Sequence, residues 1–80
     1  TDKSLGDIED LPRADYERIL NGCLRLETNP VPDGKHIRKL KGFKDLYRLR
    51  VGEYRVIFEW RSDTVTAIRV LTRQDFGKKY

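Results

Sequence analysis

An α+β fold, with a helical hairpin packed on one face of a small antiparallel sheet, is what this 80-residue sequence predicts. Three observations lead there. The stretch from Leu46 to Trp60 alternates apolar and polar residues, breaks at Gly52-Glu53 and alternates again, which is a β-hairpin with Gly first in a two-residue turn. Tyr16, Ile19, Leu20, Cys23 and Leu24 repeat at i, i+3, i+4, i+7 and i+8, an apolar helical stripe. Val65 to Thr72 is rich in β-branched residues and follows a turn at Arg61-Ser62-Asp63.

From the N-terminus, Leu5, Ile8 and Leu11 recur at helical spacing, and Pro12 suits the first turn of a second helix. Asn29-Pro30 closes that helix, because the residue before proline avoids the helical region. Residues 30–45 carry Pro30, Pro32, Gly34 and Gly42, and read as a loop leading to a short edge strand around Ile37 to Leu40. Pairing the hairpin about its turn sets Val51 opposite Tyr54, Leu49 opposite Val56 and Tyr47 opposite Phe58. Those six make the apolar face on which the helices bury their stripe. The last strand has two possible registers. A three-residue turn puts Ile68 and Val70 in the core and Arg69 and Arg73 on the opposite face, whereas a two-residue turn aims Arg69 inward. The first avoids burying an arginine and is the expected one. The order is α-α-β-β-β in one domain over residues 1–80.

The face away from the helices then carries Arg48, Arg50, Arg55, Arg69 and Arg73. Arg50 lies directly across from Arg55, a like-charge pair that destabilises a hairpin, so guanidiniums kept together there point to a polyanionic ligand. Overall charge agrees. The net charge is +4, but residues 1–30 hold four Lys/Arg against seven Asp/Glu, and residues 31–80 hold thirteen against six. Basic charge concentrated on one face is an electrostatic footprint for nucleic acid, against the plain alternative of a solvated surface. Cys23 is the one cysteine, so no intrachain disulfide forms and no thiolate metal site exists. On the helical stripe it reads as a small buried hydrophobe. No 18-residue apolar run and no signal-peptide pattern occurs, so the chain is expected to be soluble and cytoplasmic.

Asn29-Pro30, Lys39-Leu40-Lys41-Gly42 and the whole string from Leu46 to Glu59 resemble the RelE/ParE superfamily of toxin–antitoxin toxins, with order and spacing matched from Lys3-Ser4 to the C-terminus. The resemblance implies a curved antiparallel sheet with helices on one side and a basic concave side. It implies either of two activities. RelE-like members enter the ribosomal A site and cut mRNA without a metal or other cofactor, and ParE-like members inhibit DNA gyrase without catalysis. Both are neutralised by a cognate antitoxin. A family member usually begins with a strand, while this chain starts at Thr1-Asp2-Lys3-Ser4, where the first helix is due. The expectation is therefore a missing N-terminal strand and an open sheet edge.

Cutting RNA with its own 2′-hydroxyl needs a base, cations around the pentavalent phosphate and an acid for the leaving oxygen. Arginine suits the second task because its planar fork matches phosphate oxygens. By resemblance, Arg55 matches the hairpin arginine at the scissile phosphate, Arg73 the arginine ending the last strand, and Arg48 and Arg50 the basic pair on the preceding strand. Arginine stays charged at neutral pH and is a poor base. Lys39, Lys41 and His36 are candidates for that role, with His36 as an ordinary loop histidine the simpler reading. Family members often end in an arginine followed closely by a tyrosine. Here Phe76 holds the aromatic position, able to stack on a base or cap the core but not to transfer a proton, and Tyr80 could do both if the tail folds back. Lys78 and Lys79 are expected as general RNA or solvent contacts. Glu53 is a turn residue, and Glu59 is expected to pair with Arg61 at the surface.

Overall fold

The computed structural model describes residues 2–80. Two helices, α1 (Asp2–Ile8) and α2 (Arg13–Thr28), precede four strands, β1 (Ile37–Lys39), β2 (Leu46–Val51), β3 (Tyr54–Arg61) and β4 (Thr64–Thr72), and a closing helix, α3 (Arg73–Lys79). The strands form one antiparallel sheet in the order β1-β2-β3-β4. The α+β class expected from sequence is the one observed, with the edge strand counted as β1 and α3 added at the C-terminus.

The hairpin has the expected register. Val51 pairs with Tyr54, Leu49 with Val56, Tyr47 with Phe58, and Arg50 with Arg55. Gly52 takes a φ of +54°, the left-handed backbone that this tight turn needs and that glycine enters without a Cβ penalty. Leu49, Val56, Phe58 and Val70 meet Ile8 of α1 and Ile19 and Leu26 of α2 in the main core. Asn29 caps α2, its amide donating to the Arg25 carbonyl, and Pro12 stands just ahead of the helix as its N-cap. The Tyr54 hydroxyl donates to the Asp15 carboxylate at 3.1 Å, fastening α2 to the hairpin.

The helical stripe is wider than its seat. Ile19 and Leu26 are buried, while Leu24 stays largely exposed and Tyr16 and Leu20 are each 37% exposed. The reason is the close approach at Gly22, where an added Cβ would stand 3.0 Å from Leu49 Cδ2 and from Val51 Cγ2. The line Ile19–Gly22–Leu26 faces the sheet, and the i+1 and i+5 flank of the stripe is turned out.

The turn into β4 is the correction. It has two residues, not three, since Arg61 pairs with Thr64. Ser62 adopts the left-handed conformation without being glycine (φ 53°), so the usual signal for such a turn is absent from the sequence. The extra residue enters later as a bulge, where Phe58 pairs with Ala67 but Ile57 pairs with Arg69. Val70 thereby returns to the core as expected. Arg69 keeps the expected face, across from Ile57, but its guanidinium turns to the β4 edge instead of joining the other arginines. The Asp7 carboxylate of α1 accepts from its Nε at 2.8 Å and its Nη2 at 3.1 Å, and also from the Val70 amide at 2.7 Å. Asp7 thus satisfies a backbone donor on the outer edge of β4, where an open edge was expected. No described helix is long and apolar enough to cross a membrane.

Burial pushes the Asp7 carboxyl up, but the Arg69 and Val70 donors outweigh it and hold it below its ordinary value. A carboxyl depressed in the folded chain contributes stability that is complete above the ordinary carboxylate range and is lost as pH falls through the folded value. Asp7→Ala is expected to lower unfolding free energy by about 2 kcal/mol at neutral pH. Denaturant titrations should show parent and variant converging in acid, and a constant gap would contradict the assignment.

Candidate nucleic-acid interface

The far face of the sheet is built by the same register that builds the core. β1 pairs Arg38 with Arg48, and β2 and β3 pair Arg48 with Ile57 and Arg50 with Arg55. β4 sets Leu71 across from Arg55, and the chain then turns into α3 at Arg73. The Arg73 amide donates to the Glu53 carbonyl at 2.7 Å, so the start of α3 is fixed to the hairpin turn. Thr72 caps the helix, its hydroxyl accepting from the Asp75 amide at 3.2 Å.

These arginines feel one another. Burial, then the charges of Arg50 and Arg73, lower the proton affinity of Arg55. Burial, then Arg38, Arg55 and Arg50, do the same to Arg48. Arg55 is 9% exposed, and its Nη1 donates to the Gly52 and Tyr54 carbonyls at 2.9 Å each. Arg48 Nη1 donates to the His36 carbonyl at 3.1 Å and the Lys35 carbonyl at 3.3 Å. The loop that offers those carbonyls is held by Asp33. Its carboxylate accepts from the amides of Lys35, His36 and Ile37 at 2.7–3.0 Å, which keeps it well below the ordinary carboxylate range.

Carboxylates are spent elsewhere. Among the described residues, Arg13 pairs with Glu17, Arg18 with Asp15, Arg61 with Asp45 and Glu59, and Arg69 with Asp7. The Glu59–Arg61 pair is the one expected from sequence. None of the described ion pairs includes Arg48, Arg50, Arg55 or Arg73. Backbone carbonyls orient two of these four without neutralising them, and Arg50 and Arg73 are exposed.

The centre of this face is not solvated. Val56, Ile57 and Phe58 are all 0% exposed, so β3 is covered on both sides. Ile57 packs with Leu40 and Leu71 under Leu46 and Phe76, and Phe76 comes from α3. Phe76 thus does cap a core, a second and smaller one. Tyr80 folds back and stacks on Phe76 with ring centroids 5.4 Å apart and planes at 21°. Phe43, from the loop between β1 and β2, leans on Tyr80 at 5.4 Å and 54°. A cleft of about 270 Å³ runs beside the three rings and is also lined by Arg38, Lys39, Lys41 and Arg48.

The structure therefore brings Arg48, Arg50, Arg55 and Arg73 together, and sets Phe76, Tyr80, Lys39 and Lys41 around Arg48 in one cleft. Lys39 is only partly available there. Its ammonium donates to the Phe43 carbonyl at 3.1 Å and lies over the Tyr47 ring, on the helix-bearing side. Lys79 lies near Asp7, whose carboxyl it helps to lower, and so belongs to the β4 edge; Lys78 is exposed on α3. His36 Nδ1 stands 3.6 Å from Asp33. Two residues escaped sequence reasoning as parts of this face. Arg38 could have been found from period two in β1, but Phe43 sits in a loop whose path has no sequence signal. Among the described residues no group of three or more His, Cys, Asp or Glu side chains is placed to hold a metal ion.

Replacing Arg50 by Thr removes the charge across from Arg55 and puts a good strand former in its place. The thermal midpoint is expected to rise at low ionic strength and the gain to shrink with added salt. A fall in the midpoint would mean that Arg50 has a stabilising partner.

Residues 1–75 match the family model of the ParE toxin of the type II toxin–antitoxin system parDE. A relative named RelE1 from Methanocaldococcus jannaschii is 35% identical over 78 residues, covering 94% of this chain and 86% of the relative. Toxin RelE3 of the same organism is 47% identical over 38 residues, covering 48% of this chain and 43% of the relative. Among solved structures, the toxin in a RelB-RelE antitoxin–toxin complex from Methanococcus jannaschii aligns over 100% of this chain and 95% of its own, with a TM-score of 0.79 and 27% identity. The archaeal RelE-RelB complex from Pyrococcus horikoshii aligns over 91% of this chain and 89% of its own, with a TM-score of 0.74 and 35% identity. With the family model, the sequence relatives and the fold all in agreement, the chain belongs to the RelE/ParE superfamily of type II toxin–antitoxin toxins.

Proposed function

We propose that this toxin is a ribosome-dependent endoribonuclease that cuts mRNA in the A site by metal-independent attack of the 2′-hydroxyl. One observation carries the reading: burial and the charges of neighbouring guanidiniums, Arg50 and Arg73 among them, lower the proton affinity of Arg48 and Arg55, while among the described residues no carboxylate forms an ion pair with any of the four. Such a group is costly in the free protein and is relieved by a phosphodiester. In the reaction the 2′-oxygen bonds to phosphorus and the 5′-oxygen leaves, so negative charge builds on the non-bridging oxygens. Arg55 and Arg73 are proposed to hold those oxygens, with Arg48 and Arg50 adding field strength from β2. Tyr80 supplies the proton for the leaving oxygen or a face for a base. The acceptor for the 2′ proton is among Lys39, Lys41 and His36, with Lys39 the poorest because its ammonium already donates to a carbonyl. Lys41, Phe76, Lys78 and Lys79 bind RNA without taking part in the chemistry. A cognate antitoxin is the proposed protein partner, supported by the RelE relatives solved in complex with RelB. An acidic segment added at the sheet or laid in a groove would suit this basic face.

A second reading is supported by the name of the matching family model, ParE. As a gyrase inhibitor the chain would act by binding alone. Purified toxin added to a translating extract is expected to cut the message only where ribosomes occupy it. Arg73→Ala, at an exposed position, is expected to reduce cutting about a hundredfold or more with little change in stability. Arg55→Ala should also abolish cutting, but it removes two hydrogen bonds at the turn and will cost stability as well. Inhibition of gyrase supercoiling with the message intact would overturn the nuclease reading.

A further inference from the structure

We propose that Phe43 is a base-stacking residue, and that with Tyr80 and the cations of the adjoining cleft it forms a subsite for one unpaired nucleobase next to the phosphate held by the arginines. The inference rests on the nuclease reading and adds to it a residue that determines where the RNA strand lies.

Phe43 is a large apolar side chain left 42% exposed, and Tyr80, which it touches, is equally exposed. An isolated exposed aromatic is unremarkable. Here the loop holds the ring in place. Gly42 is at φ +80° and Asp45 at φ +61°, so the segment makes two left-handed steps around Phe43, and Lys39 Nζ ties down the Phe43 carbonyl at 3.1 Å. The rings then form a continuous shelf, with Phe76 seated in the small core, Tyr80 stacked on it and Phe43 against Tyr80. A shelf of stacked rings, Phe43 and Tyr80 exposed on it, with Arg38, Lys41 and Arg48 lining the adjoining cleft has the makings of a single-strand site. The π-faces accept any base, and the cations follow the backbone. A duplex keeps its bases stacked inside and would offer the shelf nothing, so the ligand class is single-stranded RNA.

The test uses the whole chain and a dye-labelled single-stranded RNA hexamer, read by fluorescence anisotropy. Phe43→Ala keeps the main-chain carbonyl and changes an exposed position, and circular dichroism checks that it is folded. It is expected to weaken binding about tenfold or more, while Phe43→Trp keeps the affinity. A series of hexamers with one abasic site moved along the strand separates stacking from loop structure. The parent should lose affinity at one position of the abasic site, and Phe43→Ala should be indifferent there. Parent-like affinity of Phe43→Ala, or an abasic penalty that persists in it, would overturn the subsite. If Arg73→Ala weakens binding while Phe43→Ala does not, the subsite alone fails. If the parent does not bind the hexamer, or Arg73→Ala binds it as the parent does, the subsite beside an arginine-held phosphate falls, while cutting of ribosome-bound message separately decides the nuclease reading.

Discussion

Strand β3 is buried on both faces, and most of the molecule follows from that. Val56 and Phe58 need the helices, and Ile57 needs a cover on the opposite side. A sheet with one wet face would leave Ile57 in water, and the face would be a plain basic surface. Instead α3 brings Phe76 over Ile57, Leu40 and Leu71, which leaves the polar residues of that face as a border around an apolar centre. The arginines are thus confined to positions around a small hydrophobic island. Burial in turn lowers the proton affinity of Arg48 and Arg55 and strips part of the water that would have screened them from their neighbours.

The electrostatic arrangement runs against folding. Arg50 across from Arg55 is unfavourable in a hairpin, and Arg38 across from Arg48 repeats the problem one strand away. The fields of Glu53 at Arg55 and Asp33 at Arg48 do not cancel the repulsion, and Glu17, Asp15, Asp45 and Asp7 are bonded elsewhere, to Arg13, Arg18, Arg61 and Arg69. Backbone carbonyls take their place at Arg48 and Arg55, and a carbonyl orients a guanidinium while leaving its charge free to act on a ligand. Local strain of this kind, offset by a well-packed core, is what a site prepared for a polyanion looks like.

Sequence made the central hairpin legible because a glycine in a tight turn, period-two alternation and like charges in register all agreed. Helix ends at Pro12 and Asn29 were legible for similar reasons of backbone restriction. Three features were not. The two-residue turn uses Ser62 at positive φ, where glycine would have announced it, and the compensating bulge at Ile68 leaves no mark in a run of β-branched residues. The α2 stripe was read as wholly buried, because periodicity reports which residues share a face and not that Gly22 draws the helix down along one side of it. The segment from Arg73 to Lys79 is too short for a periodic signal, so the arginines could be gathered on one face from sequence but the aromatic shelf could not.

The bond from the Arg73 amide to the Glu53 carbonyl is made entirely by main chain. It joins the hairpin bend, whose Gly52 and Tyr54 carbonyls also orient Arg55, to the first turn of the C-terminal helix. Two cations eighteen positions apart in the polypeptide are therefore spaced by peptide geometry. The residue type at position 53 can drift without disturbing that spacing, whereas a lengthened or shortened bend would displace both cations together.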